Sequence, residues 1–256
     1  MKKIGYVLSG GGARGFAHLG ILHFLDELGI KPHALSGTSA GAIVGSLYAA
    51  GISPVDILAL MKKNSLFGWS NLSWKKAGFF SMDTLRRLLA ERIGRDDFAS
   101  LGMKLFVTST DLTSGKYVIF SEGPLFQAVV ASASIPVIFE PVLMGESYLV
   151  DGGLLNNFPT EPLEQECEFI IGSHVNKMEN NLRASSVLHP VYILERCFHL
   201  AVAQAVYSKA GKCQVFIEPP LESYDMYDEK KADEIFDIGY SAALKQKAEI
   251  LKCLDQ

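Results

Sequence analysis

The chain has 256 residues, of which 48% are hydrophobic and 20% charged. This length and composition allow a full hydrophobic core and exclude intrinsic disorder as the main state. The net charge is −4 and no run of basic residues exceeds two, so the sequence lacks the basic footprint of a nucleic-acid-binding protein. Residues 1–128 carry 14 basic and 9 acidic residues, against 10 and 19 in residues 129–256, so we expect any anionic surface to meet the N-terminal half.

The cysteines and the N-terminal residues indicate in which cellular compartment the protein is expected. The sequence has four cysteines: Cys167, Cys197, Cys213 and Cys253. No two of them are close in sequence, which argues against a zinc motif or a disulfide framework and favours a reducing compartment. The apolar stretch Ile4–Leu8 is too short for a signal peptide, and no run of 18 apolar residues occurs. We therefore expect one domain over residues 1–256, cytoplasmic and soluble or peripheral to the inner face of the membrane.

Periodicity and turn residues predict alternating strands and helices in the first hundred residues. The predicted elements are a strand at Ile4–Leu8, a helix at Phe16–Leu28, a strand at His33–Ser36, and helices at Ala40–Ala50, from Ser53-Pro54, and at Ser81–Ile93. Asn64–Met82 has no clean period and combines Trp and Phe with Lys75 and Lys76. Two interpretations of this segment stay open: a surface for an acyl chain and anionic headgroups, or a satellite core under a long loop.

The same alternation continues to the C-terminus. The predicted elements are strands at Lys104–Thr110 and Lys116–Ser121, a helix at Pro124–Ser132, strands at Ser147–Val150 and Glu168–Gly172, and helices at Val191–Lys209 and Asp233–Leu254. Strands that alternate with helices predict an α/β fold, with a mostly parallel central sheet between two helical layers.

A serine motif lies between the second strand and the following helix. Gly37-Thr38-Ser39-Ala40-Gly41 fits Gly-x-Ser-x-Gly, the nucleophile elbow, in which a serine occupies a sharp strand-to-helix turn. Gly37 and Gly41 are needed because the strand and helix approach too closely for a Cβ, and the helix N-terminus favours negative charge near Ser39. The motif in this setting predicts Ser39 as a nucleophile.

The first strand ends at a glycine-rich loop, Gly10-Gly11-Gly12-Ala13-Arg14-Gly15. Its Gly-x-Gly-x-x-Gly pattern suggests dinucleotide binding, which requires an acidic residue about 20 positions later. The sequence there is Leu35-Ser36-Gly37, which contains no acidic residue, so dinucleotide binding is not favoured. A phosphate loop is excluded because no Gly-Lys-Ser/Thr follows. The loop therefore suits an oxyanion hole made of backbone amides. The alternative, a tight turn into a closely packed helix, gives no reason for Arg14.

Two residues compete for the role of general base. His174 follows the strand near residue 171 and is the one histidine of the six that suits a triad. Asp151 ends a short strand, at the sheet edge where open α/β folds place their ligands, and precedes Gly152 and Gly153. Position alone does not distinguish a base at Asp151 from an Asp-Gly turn.

Taken together, these motifs resemble a known family. The glycine loop, the Ser39 elbow, the block Ala131–Pro136 and Asp151-Gly152-Gly153 occur in the order and spacing of patatin-like acyl hydrolases. The chain looks most similar to small bacterial members related to the neuropathy target esterase catalytic domain. The resemblance implies a Ser-Asp dyad enzyme that cleaves acyl esters of phospholipids, lysophospholipids or simple esters without a metal, cofactor or histidine.

Residue by residue, the resemblance implies Ser39 as nucleophile and Asp151 as base, the amides around Gly11, Gly12 and Ala13 as oxyanion hole, and Arg14 as support for that loop. The expected partners are a lipid or fatty-acyl ester substrate and, as a hypothesis, a membrane surface. Two alternatives stay open: a short-chain carboxylesterase and a catalytically silent lipid-binding regulatory module. The sequence does not indicate the oligomeric state.

Overall fold

The computed structural model describes residues 2–64, 82–178, 200, 202–252 and 254. The strands are β1 (Ile4–Leu8), β2 (Ala34–Thr38), β3 (Lys104–Asp111), β4 (Lys116–Phe120), β5 (Val142–Met144), β6 (Ser147–Asp151), β7 (Phe169–Ser173) and β8 (Val215–Ile217). The helices are α1 (Phe16–Glu27), α2 (Ala40–Ala49), α3 (Pro54–Asn64), α4 (Met82–Ile93), α5 (Leu125–Ser132), α6 (Glu161–Glu166), α7 (202–210), α8 (Ala232–Lys245) and α9 (Lys247–Leu251).

The described strands form one mixed sheet with a parallel centre. Neighbouring strands β3, β2, β1, β7 and β8 run parallel, whereas β4, β6 and β5 are added by antiparallel pairing. The antiparallel β5–β6 hairpin turns at Gly145, whose φ of 62° favours glycine. This sheet between helices confirms the predicted α/β class.

The sheet separates two hydrophobic cores, which makes the fold three-layered. Alternate side chains of β1 point to opposite faces, so Tyr6 and Leu8 join the larger core and Val7 joins the smaller one. The larger core contains residues of α1 to α5, α8 and α9, while the smaller one contains residues of α6 and α7. Parallel strands buried on both faces explain the near-continuous apolar runs in the sequence.

One edge of β3 carries two strands that meet end to end. β2 pairs in parallel with residues 104–108 of β3, and β6 pairs antiparallel with residues 109–111. β4 pairs with residues 107–111 and therefore takes the opposite edge. Thr38 at the end of β2 lies beside Thr108, and Asp151 at the end of β6 lies beside Ser109. The residues that follow the two strand ends are thereby brought to one place.

Several elements differ from the predicted ones. Three short elements, β5, α6 and β8, were not predicted, because three to six residues carry too little periodicity. The predicted helix Asp233–Leu254 is two helices separated at Gln246, although the sequence has no glycine or proline there. The predicted helix Val191–Lys209 is helical at 202–210, and residues 191–199 lie outside the described residues. Nearly all of the aromatic segment Asn64–Met82 also lies outside them.

Candidate active site

Ser39 occupies a strained turn between β2 and α2. Its φ of 53° and ψ of −121° lie outside the favoured regions for a residue with a side chain, as expected for a nucleophile elbow. The surrounding backbone is tightly packed: a Cβ on Gly41 would lie 2.3 Å from the Leu8 carbonyl oxygen, and one on Gly37 would lie 2.6 Å from the Gly41 carbonyl carbon. Both elbow glycines are therefore required sterically.

A buried serine holds the backbone of the elbow. The Ser39 N–H donates to Ser132 Oγ at 2.9 Å, and Ser132 Oγ donates to the Thr108 carbonyl at 2.6 Å. Ser132 is the last residue of α5 and belongs to the Ala131–Pro136 block noted in the sequence. The block thus connects the elbow to β3 at the point where β2 ends.

Asp151 lies beside Ser39 and is almost completely buried. The exposed fractions are 5% for Asp151 and 8% for Ser39. Asp151 Oδ1 accepts the Gly153 N–H at 2.7 Å, and the Asp151 N–H donates to the Ser134 carbonyl at 2.8 Å. Burial raises the pKa of Asp151 to about 6, although the nearby Ser39 hydroxyl and the hydrogen bond from the Gly153 amide favour the carboxylate and act in the opposite direction. Asp151 therefore has a basicity suited to proton transfer near neutral pH.

The glycine loop lies against the elbow. A Cβ on Gly10 would be 3.1 Å from the Ser39 Cβ, and one on Gly15 would be 2.8 Å from the Ala40 Cβ. Gly12 has a φ of 56°, and a Cβ added to it would lie 2.3 Å from the Met226 carbonyl oxygen, so a larger residue is excluded at this position. These contacts place the loop next to Ser39.

Of the first four amides of this loop, two are hydrogen-bonded and two have no acceptor among the described residues. The Gly10 N–H donates to Asn157 Oδ1 at 3.1 Å, and the Ala13 N–H donates to the Met226 carbonyl at 2.7 Å. Within the described part of the chain, the Gly11 and Gly12 N–H groups have no protein acceptor. Of the amides predicted around Gly11, Gly12 and Ala13, the first two therefore have no acceptor among the described residues.

Arg14 connects the loop to later parts of the chain. Its Nε donates to the Tyr224 carbonyl at 2.8 Å, and its Nη1 donates to Asn176 Oδ1 at 3.2 Å. Asn176 Nδ2 in turn donates to the Gly10 carbonyl at 2.8 Å. The guanidinium thus contacts the segment around Tyr224 directly and the Gly10 carbonyl through Asn176.

His174 has other partners. Its Nδ1 lies 2.9 Å from Glu218 Oε1, and its buried ring packs between Tyr207 and Phe216, at centroid distances of 5.8 and 6.3 Å. The structure gives no contact between this ring and Ser39. The arrangement therefore favours Asp151 over His174 as the partner of Ser39.

His18 belongs to a buried chain of hydrogen bonds beneath the glycine loop. Its Nε2 lies 2.8 Å from the Ser9 carbonyl, its Nδ1 lies 2.6 Å from Ser173 Oγ, and Ser173 Oγ lies 2.8 Å from the Tyr6 hydroxyl. Burial lowers the pKa of His18 to about 4, so the ring is neutral near pH 7. Because the Ser9 carbonyl can only accept, Nε2 carries the proton and Nδ1 accepts from Ser173.

Two residues at this site lie outside the sequence motifs, Asn157 and Asn176, and the contacts of Ser132 were not predicted although it belongs to the Ala131–Pro136 block. The available signals were indirect, since Asn157 lies six residues after Asp151 and Asn176 lies three after β7, at the edge where the strands end. No group of three or more His, Cys, Asp or Glu side chains suited to a metal ion occurs among the described residues.

Comparison with known proteins identifies the family. The family model for patatin-like phospholipases matches residues 6–164, which is more than half of the chain and includes the glycine loop, the Ser39 elbow and Asp151. The chain belongs to the patatin-like phospholipase family. The resemblance indicated by the sequence motifs is confirmed, and the family description agrees with the expected class of enzyme, a hydrolase of carboxylic esters.

Fungal lysophospholipases resemble this patatin-like protein over most of its length. Lysophospholipase NTE1 of Kluyveromyces lactis is 28% identical over 270 residues, covering 94% of this chain and 19% of the relative. Lysophospholipase NTE1 of Saccharomyces cerevisiae is 28% identical over 268 residues, covering 93% and 16%. The chain thus spans less than a fifth of the length of these curated relatives.

Solved structures share the fold. VipD from Legionella pneumophila aligns with a TM-score of 0.59 at 15% identity, covering 96% of this chain and 66% of that one. Human GIVD cytosolic phospholipase A2, solved with methyl gamma-linolenyl fluorophosphonate, aligns with a TM-score of 0.54 at 13% identity, covering 98% and 58%. Within the described ranges, no helix has the length and apolar character needed to cross a bilayer.

Proposed function

We propose that this patatin-like protein hydrolyses acyl esters of lysophospholipids or phospholipids through a Ser39–Asp151 dyad. The observation that carries the proposal is the buried carboxyl of Asp151, which lies within interaction range of the Ser39 hydroxyl and has a pKa raised to about 6. A serine hydroxyl on a strained elbow, a base with this pKa and two open amides are the components that acyl transfer requires.

The reaction proceeds in two halves. Asp151 accepts the Ser39 proton as Oγ attacks the ester carbonyl carbon, and the carbonyl oxygen becomes an oxyanion. When this intermediate collapses, the bond to the lipid alcohol breaks, the alcohol takes the proton from Asp151, and Ser39 retains the acyl group. Water then transfers a proton to Asp151 and attacks the acyl carbonyl, which releases the fatty acid and returns the proton to Ser39.

The oxyanion is stabilised by the glycine loop. The Gly11 and Gly12 amides are the proposed donors because the Gly10 and Ala13 amides already have protein acceptors. Loss of one such donor typically lowers the rate by about 10²- to 10³-fold, so these amides compensate for a base that is weaker than histidine.

The substrate class is supported by the family and by the fungal relatives, which are lysophospholipases. The decisive experiment measures fatty acid released from lysophosphatidylcholine and from a short-chain nitrophenyl ester. We expect the wild type to prefer the long-chain lipid, and Ser39→Ala and Asp151→Asn each to lose at least about 10³-fold in kcat. A preference for the short-chain ester would indicate a carboxylesterase, and binding of lipid without turnover would indicate a lipid-binding module.

We also propose that the protein reaches its substrate at a phospholipid surface. Val137 is 93% exposed and has a φ of 71°, which is rare for a β-branched residue. It lies three residues after Ser134, whose carbonyl accepts the Asp151 N–H, and the exposed side chains of Leu154 and Leu155 follow Asp151. Exposed apolar side chains grouped around a site are typical of an interaction surface.

Sedimentation with phosphatidylcholine vesicles tests this contact. We expect Val137→Asp combined with Leu154→Asp to reduce vesicle binding, whereas Val55→Asp, a half-exposed valine on α3, leaves it unchanged. Equal binding by both variants would contradict the proposed contact.

The two cysteines that the structure describes, Cys167 and Cys213, are free thiols, which supports a location on the cytoplasmic side.

A further inference from the structure

The peptide between Gly10 and Gly11 has its carbonyl held and its amide open. The Gly10 carbonyl accepts Asn176 Nδ2 at 2.8 Å, and the Gly11 N–H of the same peptide has no acceptor in the described part of the chain. Because a peptide group is planar and trans, its C=O and N–H point in opposite directions. Fixing the carbonyl therefore fixes the direction of the Gly11 N–H.

Arg14 determines which way the Asn176 amide faces. Its Nη1 donates to Asn176 Oδ1 at 3.2 Å, and its Nε is held by the Tyr224 carbonyl at 2.8 Å. A guanidinium has only donors, so the oxygen of the Asn176 amide must face Arg14 and the NH₂ group must face Gly10. The orientation of this amide follows from its partners.

This arrangement matters because the loop has little steric resistance to a peptide flip. Neither Gly10 nor Gly11 has a Cβ, so rotation of the peptide between them is not opposed by a side chain of either residue. A flip would exchange the open N–H for a carbonyl oxygen, which repels a developing oxyanion. Asn176 opposes the flip with its bond at 2.8 Å, whereas Asn157 Nδ2 reaches the same carbonyl only at 3.5 Å.

We propose that Asn176 is a positioning residue for the oxyanion hole, and that Arg14 acts through it. Asn176 does not touch the substrate; it keeps the Gly11 N–H turned towards the position of the oxyanion. This inference rests on the proposed acyl-transfer function. Since the oxyanion forms only on the way to the transition state, loss of Asn176 lowers kcat and leaves KM nearly unchanged.

The test uses Asn176→Asp, which keeps the shape and the Arg14 bond but replaces the NH₂ donor with an oxygen that repels the Gly10 carbonyl. The matched control is Gln127→Glu, since Gln127 Nε2 makes a similar 2.9 Å bond to the Leu143 carbonyl and lies on α5, outside the glycine loop and the elbow. Turnover of lysophosphatidylcholine and the second-order rate of labelling by a long-chain fluorophosphonate are measured for both variants and the wild type.

We expect Asn176→Asp to lower kcat by about 10²-fold with KM within about twofold, and to slow labelling by a similar factor. Gln127→Glu should match the wild type in both rates, and the two variants should have similar melting temperatures. A labelling rate for Asn176→Asp within about threefold of a reactive wild type overturns the inference alone. A wild type that is not labelled overturns the proposed function and this inference with it.

A second comparison tests the role of Arg14. Arg14→Lys removes the planar donor pair while keeping the charge, and we expect it to lower kcat in the wild-type background. If Arg14 acts through Asn176, the same substitution has no further effect on kcat in an Asn176→Ala background. Additive losses in the double variant would contradict this part of the inference.

Discussion

Asp151 lies beside Ser39 because β2, which precedes Ser39, and β6, which ends in Asp151, converge on the same edge of β3. Thr38, which precedes Ser39, pairs with Thr108, and Asp151 pairs with the next residue of β3, Ser109. A Cβ on Gly152 would lie 2.2 Å from the Thr108 carbonyl oxygen, so glycine is required at this junction. The two residues are 112 positions apart in sequence, yet they are brought together because their strands pair with neighbouring residues of β3.

The pH dependence of catalysis reports the identity of the base. Burial raises the pKa of Asp151 to about 6, so we expect kcat/KM to fall as the pH drops below about 6, where the carboxylate becomes protonated. His174→Asn, whose amide can still donate to Glu218, should keep this acid limb. The measurement is kcat/KM between pH 4.5 and 8 for both proteins, and disappearance of the limb in the variant would favour His174 as base.

The same carboxyl makes the fold less stable as the pH rises. The pKa of Asp151 is raised from 3.8 to about 6, so the folded state binds more protons than the unfolded state between these values. Asp151→Asn removes this penalty, which is worth at most about 3 kcal/mol above pH 6. We expect the melting temperature of the variant to exceed that of the wild type at pH 8 and the gap to close at pH 4.

Intact mass must confirm that the amide persists in this variant, since an Asn-Gly sequence deamidates readily. A gap that is equal at both pH values would show that the stability difference does not arise from ionisation of Asp151.

His18 should have the opposite effect on stability. Burial lowers its pKa from 6.5 to about 4, so the unfolded state binds the extra proton and stability is lost as the pH falls from about 6.5 towards 4. His18→Gln can donate to Ser9 and accept from Ser173 without titrating. We expect urea unfolding to show the variant as less stable than the wild type at pH 7.5, with a smaller deficit at pH 4.5. A deficit that does not change with pH would contradict a neutral buried imidazole.

Ser132 should be required for the geometry of the elbow. Ser132→Ala leaves the Ser39 N–H and the Thr108 carbonyl without their partner, at a cost of about 1–3 kcal/mol in stability. We expect kcat to fall by about tenfold because the strained turn relaxes. Ser134→Ala is the control, since Ser134 Oγ only donates back to the Val130 carbonyl at 2.8 Å. Similar kcat values for the two variants would argue against the proposed role of Ser132.

The sequence predicted those parts of the site that depend on local chemistry. The Ser39 elbow, the glycine loop and the Asp151 turn each need a particular residue type within a few positions, and such motifs are visible in one chain. The junction of β2 and β6 on β3 could not be predicted, because the paired residues are 70 positions apart for β2 and β3 and 38 to 42 positions apart for β3 and β6. The same holds for Asn157, which accepts from the Gly10 amide, and for Asn176, which donates to the Gly10 carbonyl, because the glycine loop is distant from both in sequence. Short strands such as β5 and β8 have too few residues to show a period.

The most direct test of the account is labelling by a long-chain fluorophosphonate, because the reagent needs an activated serine and a formed oxyanion hole at once. Intact mass is measured for the wild type, Ser39→Ala and Ser46→Ala, the last being a buried serine on α2 that bonds only to its own helix. We predict one adduct on the wild type and on Ser46→Ala, none on Ser39→Ala, and a labelling rate that falls as the pH drops below about 6. An adduct that persists in Ser39→Ala, or no adduct on the wild type, would contradict the account.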